Sequence, residues 1–147
     1  YGPEANREYW VECQKELNKL PDSVKWEWKG NLDSEKVVET LKKQDVFLFP
    51  TLGENFGHVI QEALSAGCPC IISDQTPWRD FESQGVGYVL SLKDNKPFVE
   101  AIERYAAMES KEFQKVSEKA HQYAVDVSNA KIKNTGYRKI FNSCGKV

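Results

Sequence analysis

Apolar residues along this chain alternate between two periods. Val46-Phe47-Leu48-Phe49 is an unbroken apolar run closed by Pro50, which reads as a buried parallel strand. A loop with two glycines, Thr51 to Gly57, follows it. From His58 to Ala66 the apolar positions Val59, Ile60, Ala63 and Leu64 recur at the helical period. Gly67 suits the position after the helix, Pro69 forbids continuation, and Cys70-Ile71-Ile72 opens the next strand.

The same two periods continue on either side. Upstream, Glu4 to Leu20 reads as an amphipathic helix with Tyr9, Trp10, Cys13, Leu17 and Leu20 on one stripe. Tyr1-Gly2-Pro3 before it reads as a strand end and a turn. Val24-Lys25-Trp26-Glu27-Trp28 alternates as a strand nearer an edge, and Gly30-Asn31 is a turn. Asp33 or Ser34 caps a helix to Gln44, with Val37, Val38 and Leu41 inward. Downstream, Thr76 caps a short helix over Trp78–Ser83 with Pro77 at its start, and Val86–Leu90 is a last strand. Helices are expected over Pro97–Glu109, with Phe98, Ile102 and Tyr105 or Ala106 inward, and from Ser110 or Lys111 to Val127. Ser128-Asn129 interrupts before a C-terminal helix, with Ile132, Tyr137, Ile140 and Phe141 on its packed face; that helix spans about residues 129–143. Strands alternating with helices predict an α/β domain around a parallel sheet, one domain in size.

Composition narrows the functional classes. Twenty Lys and Arg face 22 Asp and Glu, so nothing in the charge argues for a nucleic-acid partner. No apolar run is long enough to span a bilayer. The four cysteines, Cys13, Cys68, Cys70 and Cys144, form no disulfide framework in a chain this long, and a reducing cytoplasm fits them. Cys68-Pro69-Cys70 has no second ligand pair beside it, so it reads as small residues entering a strand rather than a metal site.

The candidate chemistry sits in the central strand–loop–helix unit. Ligands of such sheets bind beyond the carboxyl ends of the strands, where the loops Gly2-Pro3, Trp28 to Leu32, Thr51 to Gly57 and Asp74 to Trp78 should converge. The end of a helix offers unpaired N–H groups and a partial positive charge, and Gly57 lets a phosphate approach the backbone. Glu54 stands before the helix and Glu62 within it, about 7–8 Å further along the axis than Gly57. Carboxylates beside a phosphate pocket repel the phosphate itself. They suit hydroxyl groups at the two ends of a diphosphate, a sugar at one end and a ribose at the other.

Pro50-Thr51, Gly53-Glu54-Asn55-Phe56-Gly57-His58, Glu62-Ala63-Leu64 and Gly67-Cys68-Pro69 together resemble the E-x7-E segment of retaining glycosyltransferases of group 1 (GT4). The likeness runs from about Val24 to the C-terminal helix. It implies a Rossmann-like three-layer sheet, the C-terminal half of a GT-B enzyme, that binds a nucleotide-diphosphate sugar. In that family Glu54 corresponds to the glutamate at the donor sugar and acts near the anomeric carbon. Glu62 corresponds to the one on the ribose. Thr51, Asn55, Phe56 and Gly57 would contact the donor, the last three through backbone N–H groups with the Phe56 ring packed inside. Gly30 would line the same rim, and Trp78 would flank the donor sugar or anchor the loop as a buried aromatic. His58 is placed to approach the phosphate or to serve structurally, and Arg79 to meet an acceptor or the other domain. No metal or cofactor is expected, since the helix end and basic side chains neutralise the leaving diphosphate.

By the same likeness, a first strand and helix and a whole N-terminal domain with the acceptor site would be missing here, and the fragment alone should transfer no sugar. Thr76-Pro77-Trp78-Arg79-Asp80 departs from the glycine-rich turn and glutamate common in relatives, so donor sugar and acceptor stay open. The expected location is the cytoplasm, compatible with contact at a membrane surface. Two alternatives have other chemistry: a GT-B-like nucleotide-sugar epimerase, which E-x7-E disfavours, and a non-catalytic nucleotide-sugar binding module.

Overall fold

The structure, a computed structural model, describes residues 1–4 and 6–134, with side chains to 130 along the last helix. The chain divides into two compact units, Tyr1–Val37 and Val38–Val147.

In the first unit α1 covers Arg7–Leu17, shorter at both ends than the sequence suggests. Asn6 caps it, its side-chain oxygen accepting from the Tyr9 N–H at 3.0 Å. The expected strand at Val24–Trp28 does not form, nor does one at Tyr1; both segments lack a ladder. The alternating tryptophans that imitate a pleat serve another purpose. Trp26 and Trp28 pack their rings on Trp10, at 6.4 and 5.5 Å between centroids. The Trp28 Nε1–H donates to the Gly2 carbonyl at 3.1 Å, and the Gly2 N–H to Gly30 at 2.8 Å. Ring contacts and single bonds hold the segment, so it needs no strand neighbour. The helix predicted from Asp33 is also broken up. A 3₁₀ turn at Ser34–Lys36 leads into α2, Val37–Leu41, and the Asp33 carboxylate pairs with Lys36 at 2.7 Å instead of capping.

The second unit is a three-stranded parallel sheet with helices, as an α/β fold requires. Its strands are β1 Phe47–Phe49, β2 Cys70–Ser73 and β3 Gly87–Leu90, in the order β1-β2-β3. Phe47 pairs with Cys70, and Cys70 with Gly87. All four residues of β2 are buried, as a central strand demands. β1 was expected to be buried, but Leu48 is 45% exposed, because among the described residues this strand is paired on one side only. The core holds Ile60 and Leu64 of α3 (His58–Ser65), Ile71 and Ile72, Val86, and Phe81 of α4 (Phe81–Gln84).

α5, Lys96–Ala106, lays Phe98 and Ala101 on Ile71. Ile102, expected inward, is exposed. α6 runs Ser110–Asn134 without the expected break. Ser128 stays in the helix because its hydroxyl donates to the Ala124 carbonyl (2.8 Å) and accepts from Gln61 (2.7 Å). Tyr137, Ile140, Phe141 and Cys144 lie outside the described residues, as does the side chain of Ile132.

Cys13, Cys68 and Cys70 are free thiols. Burial, with Asp45 as a lesser cause, pushes the Cys68 thiol up to about 12; burial beside Cys68 raises Cys70 well above the ordinary range. The thiolate is the reactive form. Iodoacetamide at pH 8 should therefore leave both unmodified in the folded protein and label both after denaturation. Mass spectrometry finding either labelled at the native rate of Cys13 would contradict that packing.

Candidate functional site

The loop between β1 and α3 is built by its own side chains. The Thr51 hydroxyl donates to the Gly53 carbonyl at 2.9 Å and accepts from the Gly53 N–H at 3.2 Å, a turn closed within three residues. Ser73, the last residue of β2, donates its buried hydroxyl to the Thr51 carbonyl at 2.5 Å, and the Glu54 N–H reaches the Gln75 carbonyl at 3.1 Å. The Thr51–Gly57 and Asp74–Trp78 loops therefore form one surface beyond the strands' carboxyl ends. The other two loops expected on that rim belong to the first unit. There Gly30 takes a positive φ of 64° and its carbonyl accepts from Gly2.

Glu54 is the hub of this loop. One oxygen, Oε1, accepts from the N–H groups of both Phe56 and Gly57 at 3.0 Å each. These are two of the three backbone groups expected to contact the donor, and the glutamate takes them. The bonds from Gly57 first and Phe56 second, with the Asn55 N–H and then the charge of His58 as smaller causes, hold its carboxyl below the ordinary glutamate range against the opposing effect of burial. A depressed value means that the loop gains stability above the ordinary range and loses it as pH falls through the lowered one. The amide resonances of Phe56 and Gly57 should accordingly titrate with a midpoint below the ordinary glutamate range. Movement centred on the ordinary range would show that the two bonds are absent in solution.

Gly57 begins α3 with φ 68°, and its N–H faces the carboxylate. On its other side lies the Trp78 indole, which a Cβ at Gly57 would strike. Trp78, expected either to flank the donor or to anchor the loop, is mostly an internal prop at 8% exposure, between Phe81 (5.6 Å) and Tyr123 (6.0 Å). Because the indole fills the space beneath the loop, the Phe56 ring is not packed inside as expected. It stands 71% exposed, stacked on the His58 ring at 5.8 Å and 20°. Thr76 does not cap a helix over Trp78–Ser83. Its buried hydroxyl accepts from the Trp78 N–H at 3.4 Å, Arg79 Nη1 donates to the carbonyls of Thr76 and of Trp78 (2.7 Å), and the helix starts only at Phe81.

Glu62 lies four residues into α3, half-buried, and among the described residues its carboxylate has no hydrogen bond or ion pair. The first helical bond runs from Gln61 to Gly57 (3.0 Å), so the N–H groups of His58, Val59 and Ile60 have no partner within the helix. Among the described residues no three His, Cys, Asp or Glu side chains gather as a metal site, and no helix is long and apolar enough to cross a membrane. The arrangement thus offers an oriented carboxylate, an open helix end and a second carboxylate one turn further on.

Comparison with known proteins adds three findings. Residues 1–123 match the glycosyl transferases group 1 family. The chain is similar to UDP-Gal:alpha-D-GlcNAc-diphosphoundecaprenol alpha-1,3-galactosyltransferase of Escherichia coli, at 28% identity over 129 residues, 69% of this chain and 33% of the relative. It is also similar to EpsF of Bacillus subtilis (strain 168), named as a glycosyltransferase, at 37% identity over 76 residues, 50% of this chain and 19% of the relative. The chain therefore spans a third or less of the length of these relatives.

Proposed function

The chain belongs to the glycosyl transferases group 1 family, and from that premise we propose that it forms the donor-binding part of a retaining (GT4-type, GT-B) glycosyltransferase using a nucleotide-diphosphate sugar. The observation that carries the proposal is the two-sided use of Glu54. Both loop N–H bonds fall on Oε1, so Oε2 is left to a ligand and the carboxylate is fixed before the ligand arrives. Such preorganisation is what stabilises charge developing in a transition state. Oε2 accepts a sugar hydroxyl and faces the positive charge that grows on the sugar ring as the glycosidic bond breaks.

The diphosphate goes to the end of α3, where the free N–H groups of His58 and Val59 replace those of Phe56 and Gly57 in the role expected for them. Glu62 takes the ribose hydroxyls. Cleavage of the sugar–phosphate bond leaves the nucleoside diphosphate at the helix end, and the acceptor hydroxyl bonds the anomeric carbon on the face the diphosphate left, with retention, its proton passing to the departing diphosphate. Thr51 acts by holding the loop and Asn55 by its position on the rim. The E. coli relative is named for a galactosyl donor and a lipid-linked diphosphate acceptor. A cytoplasmic enzyme working at a membrane surface is the matching proposal for this protein.

The test is chemical. Enzyme carrying this chain is incubated with a panel of nucleoside-diphosphate sugars while NMR follows the anomeric signals. Release of nucleoside diphosphate with a product of the donor's own anomeric configuration is expected. An inverted product would overturn the retaining assignment, and silence across the panel would overturn the donor class.

A further inference from the structure

Trp78 does not keep its place beneath the Glu54 loop unaided. Its indole belongs to a cluster of three rings, with Phe81 at 5.6 Å and Tyr123 at 6.0 Å, and those two rings meet edge to face at 6.1 Å and 87°. We propose that Tyr123 of α6 is a positioning residue for Glu54: its ring backs the Trp78 indole, the indole backs Gly57, and Gly57 presents one of the N–H groups that fix the carboxylate. The inference rests on the reading of Glu54 as the group at the donor sugar and adds which distant side chain keeps it there.

Each link has its own support. α6 packs along α3 with Ala120 and Ala124 buried, and two polar bonds register the pair. His121 Nδ1 donates to the Ser65 carbonyl at the end of α3 (2.7 Å), and Gln61, near its start, donates to Ser128 (2.7 Å). Tyr123 stands between these tethers on α6, so its ring is fixed relative to Gly57, where α3 begins. The tyrosine hydroxyl donates to Asp80 Oδ1 at 2.6 Å. Asp80 precedes α4, where an aspartate ordinarily caps, yet its side chain makes no cap bond there and is given to α6 instead. Burial first, and then the bond to Asp80, raise the phenol above its ordinary range, so it stays a donor. On the other flank Arg79 Nη1 donates to the Thr76 and Trp78 carbonyls, which holds the tryptophan backbone as well. The atom nearest a Cβ at Gly57 belongs to the indole. Interiors relax toward a missing side chain, so loss of the Tyr123 ring draws the indole toward α6 and away from Gly57.

Tyr123→Leu in the enzyme carrying this chain tests this. It should lower kcat about tenfold, since a small misplacement of a catalytic group is costly. In the Glu54→Gln background the same change should cost less than about twofold, because the charge that Tyr123 positions is already gone. NMR with isotope-labelled glycine, phenylalanine and isoleucine gives a reading that needs no donor. In Tyr123→Leu the Phe56 and Gly57 amides should titrate nearer the ordinary glutamate range, while Ile71 and Ile72 of β2 stay where they are. Tyr123→Phe keeps the ring and should restore both kcat and the titration. Phe98→Leu takes a ring from the core that α5 builds on Ile71, and should lower stability without moving either loop amide. The same kcat loss in both backgrounds, loop amides that titrate as in wild type, an equal movement from Phe98→Leu, or a Tyr123→Leu chain that does not fold would each overturn the proposal. Loop amides that move as expected in an enzyme whose kcat is unchanged would support the propping and sink the donor reading of Glu54 instead.

Discussion

Glu54→Gln in the enzyme carrying this chain is expected to lower kcat by about two orders of magnitude and to leave nucleoside diphosphate binding nearly intact. The amide is isosteric, and its oxygen can still accept from the Phe56 and Gly57 N–H groups, which now meet Oε1 at 3.0 Å. The loop therefore keeps its shape. On the proposed donor reading, what is lost is the negative charge on the outer oxygen, which would matter only as positive charge develops on the sugar ring. Interactions made in the transition state alone appear in kcat, and removing one preorganised group of this kind costs about 10²–10³-fold. Glu54→Ala is the harsher change, because it also strips the acceptor from two N–H groups. It should weaken nucleotide binding as well as the chemical step. Steady-state kinetics beside calorimetry separate the two. An alanine variant with the same nucleotide affinity as the glutamine variant would mean that the carboxylate does not organise the loop.

Gly57→Ala should be the most damaging substitution for the fold of the site. Two costs add at this position. The residue sits at φ 68°, which a side-chain-bearing residue occupies at about 1–2 kcal/mol. Its new Cβ would also run into the Trp78 indole, which is wedged between Phe81 and Tyr123 and cannot swing away. Forcing a buried ring aside costs about 1–3 kcal/mol more. A loss of about 2–5 kcal/mol is expected, read as a lower urea midpoint at an unchanged slope. Gly53→Ala is the internal control. A Cβ there meets nothing within 4 Å and its φ is not in the left-handed region, so its effect should stay within about 0.5 kcal/mol. Equal effects at the two positions would show that the indole does not prop the loop.

The central unit was legible because its signals are local. An apolar run, a glycine before a helical stripe, and Gly67 before Pro69 each specify their own geometry. Gly67 indeed takes φ 77°, and the Cys68 N–H closes back on Ala63 at 2.9 Å. Three of the misreadings involve a side chain whose partner is distant in sequence. Trp26 and Trp28 alternate like strand residues, yet their rings belong to Trp10 of α1. Ser128-Asn129 looks like a break, but Gln61 satisfies the serine across 67 positions of chain. Phe56 looks like core, and is displaced outward because Trp78 already occupies that space. Of the site itself, the pairing of Glu54 with an open helix end could be read from spacing. Its use of the Phe56 and Gly57 N–H groups could not, since glutamate is no usual cap and only the turn at Gly57 brings both donors to one oxygen. The packing of Tyr123 on Trp78 had no sequence signal either, because α6 is brought to the loop by tertiary packing alone.

The most direct test of the donor reading concerns Glu62, which among the described residues carries an unengaged carboxylate one turn into α3. If it holds the ribose, Glu62→Gln removes a charge-assisted bond far from the reacting centre. Donor and free nucleoside diphosphate should then weaken alike, by about 1.5–3 kcal/mol, or about 10- to 100-fold in Kd, with kcat little changed. Calorimetric titration of the nucleoside diphosphate into wild type, Glu62→Gln and Glu54→Gln gives the answer in one series. The predicted result is a large loss of affinity in Glu62→Gln and almost none in Glu54→Gln; the reverse order would contradict the assignment and place the donor in the opposite direction along the helix.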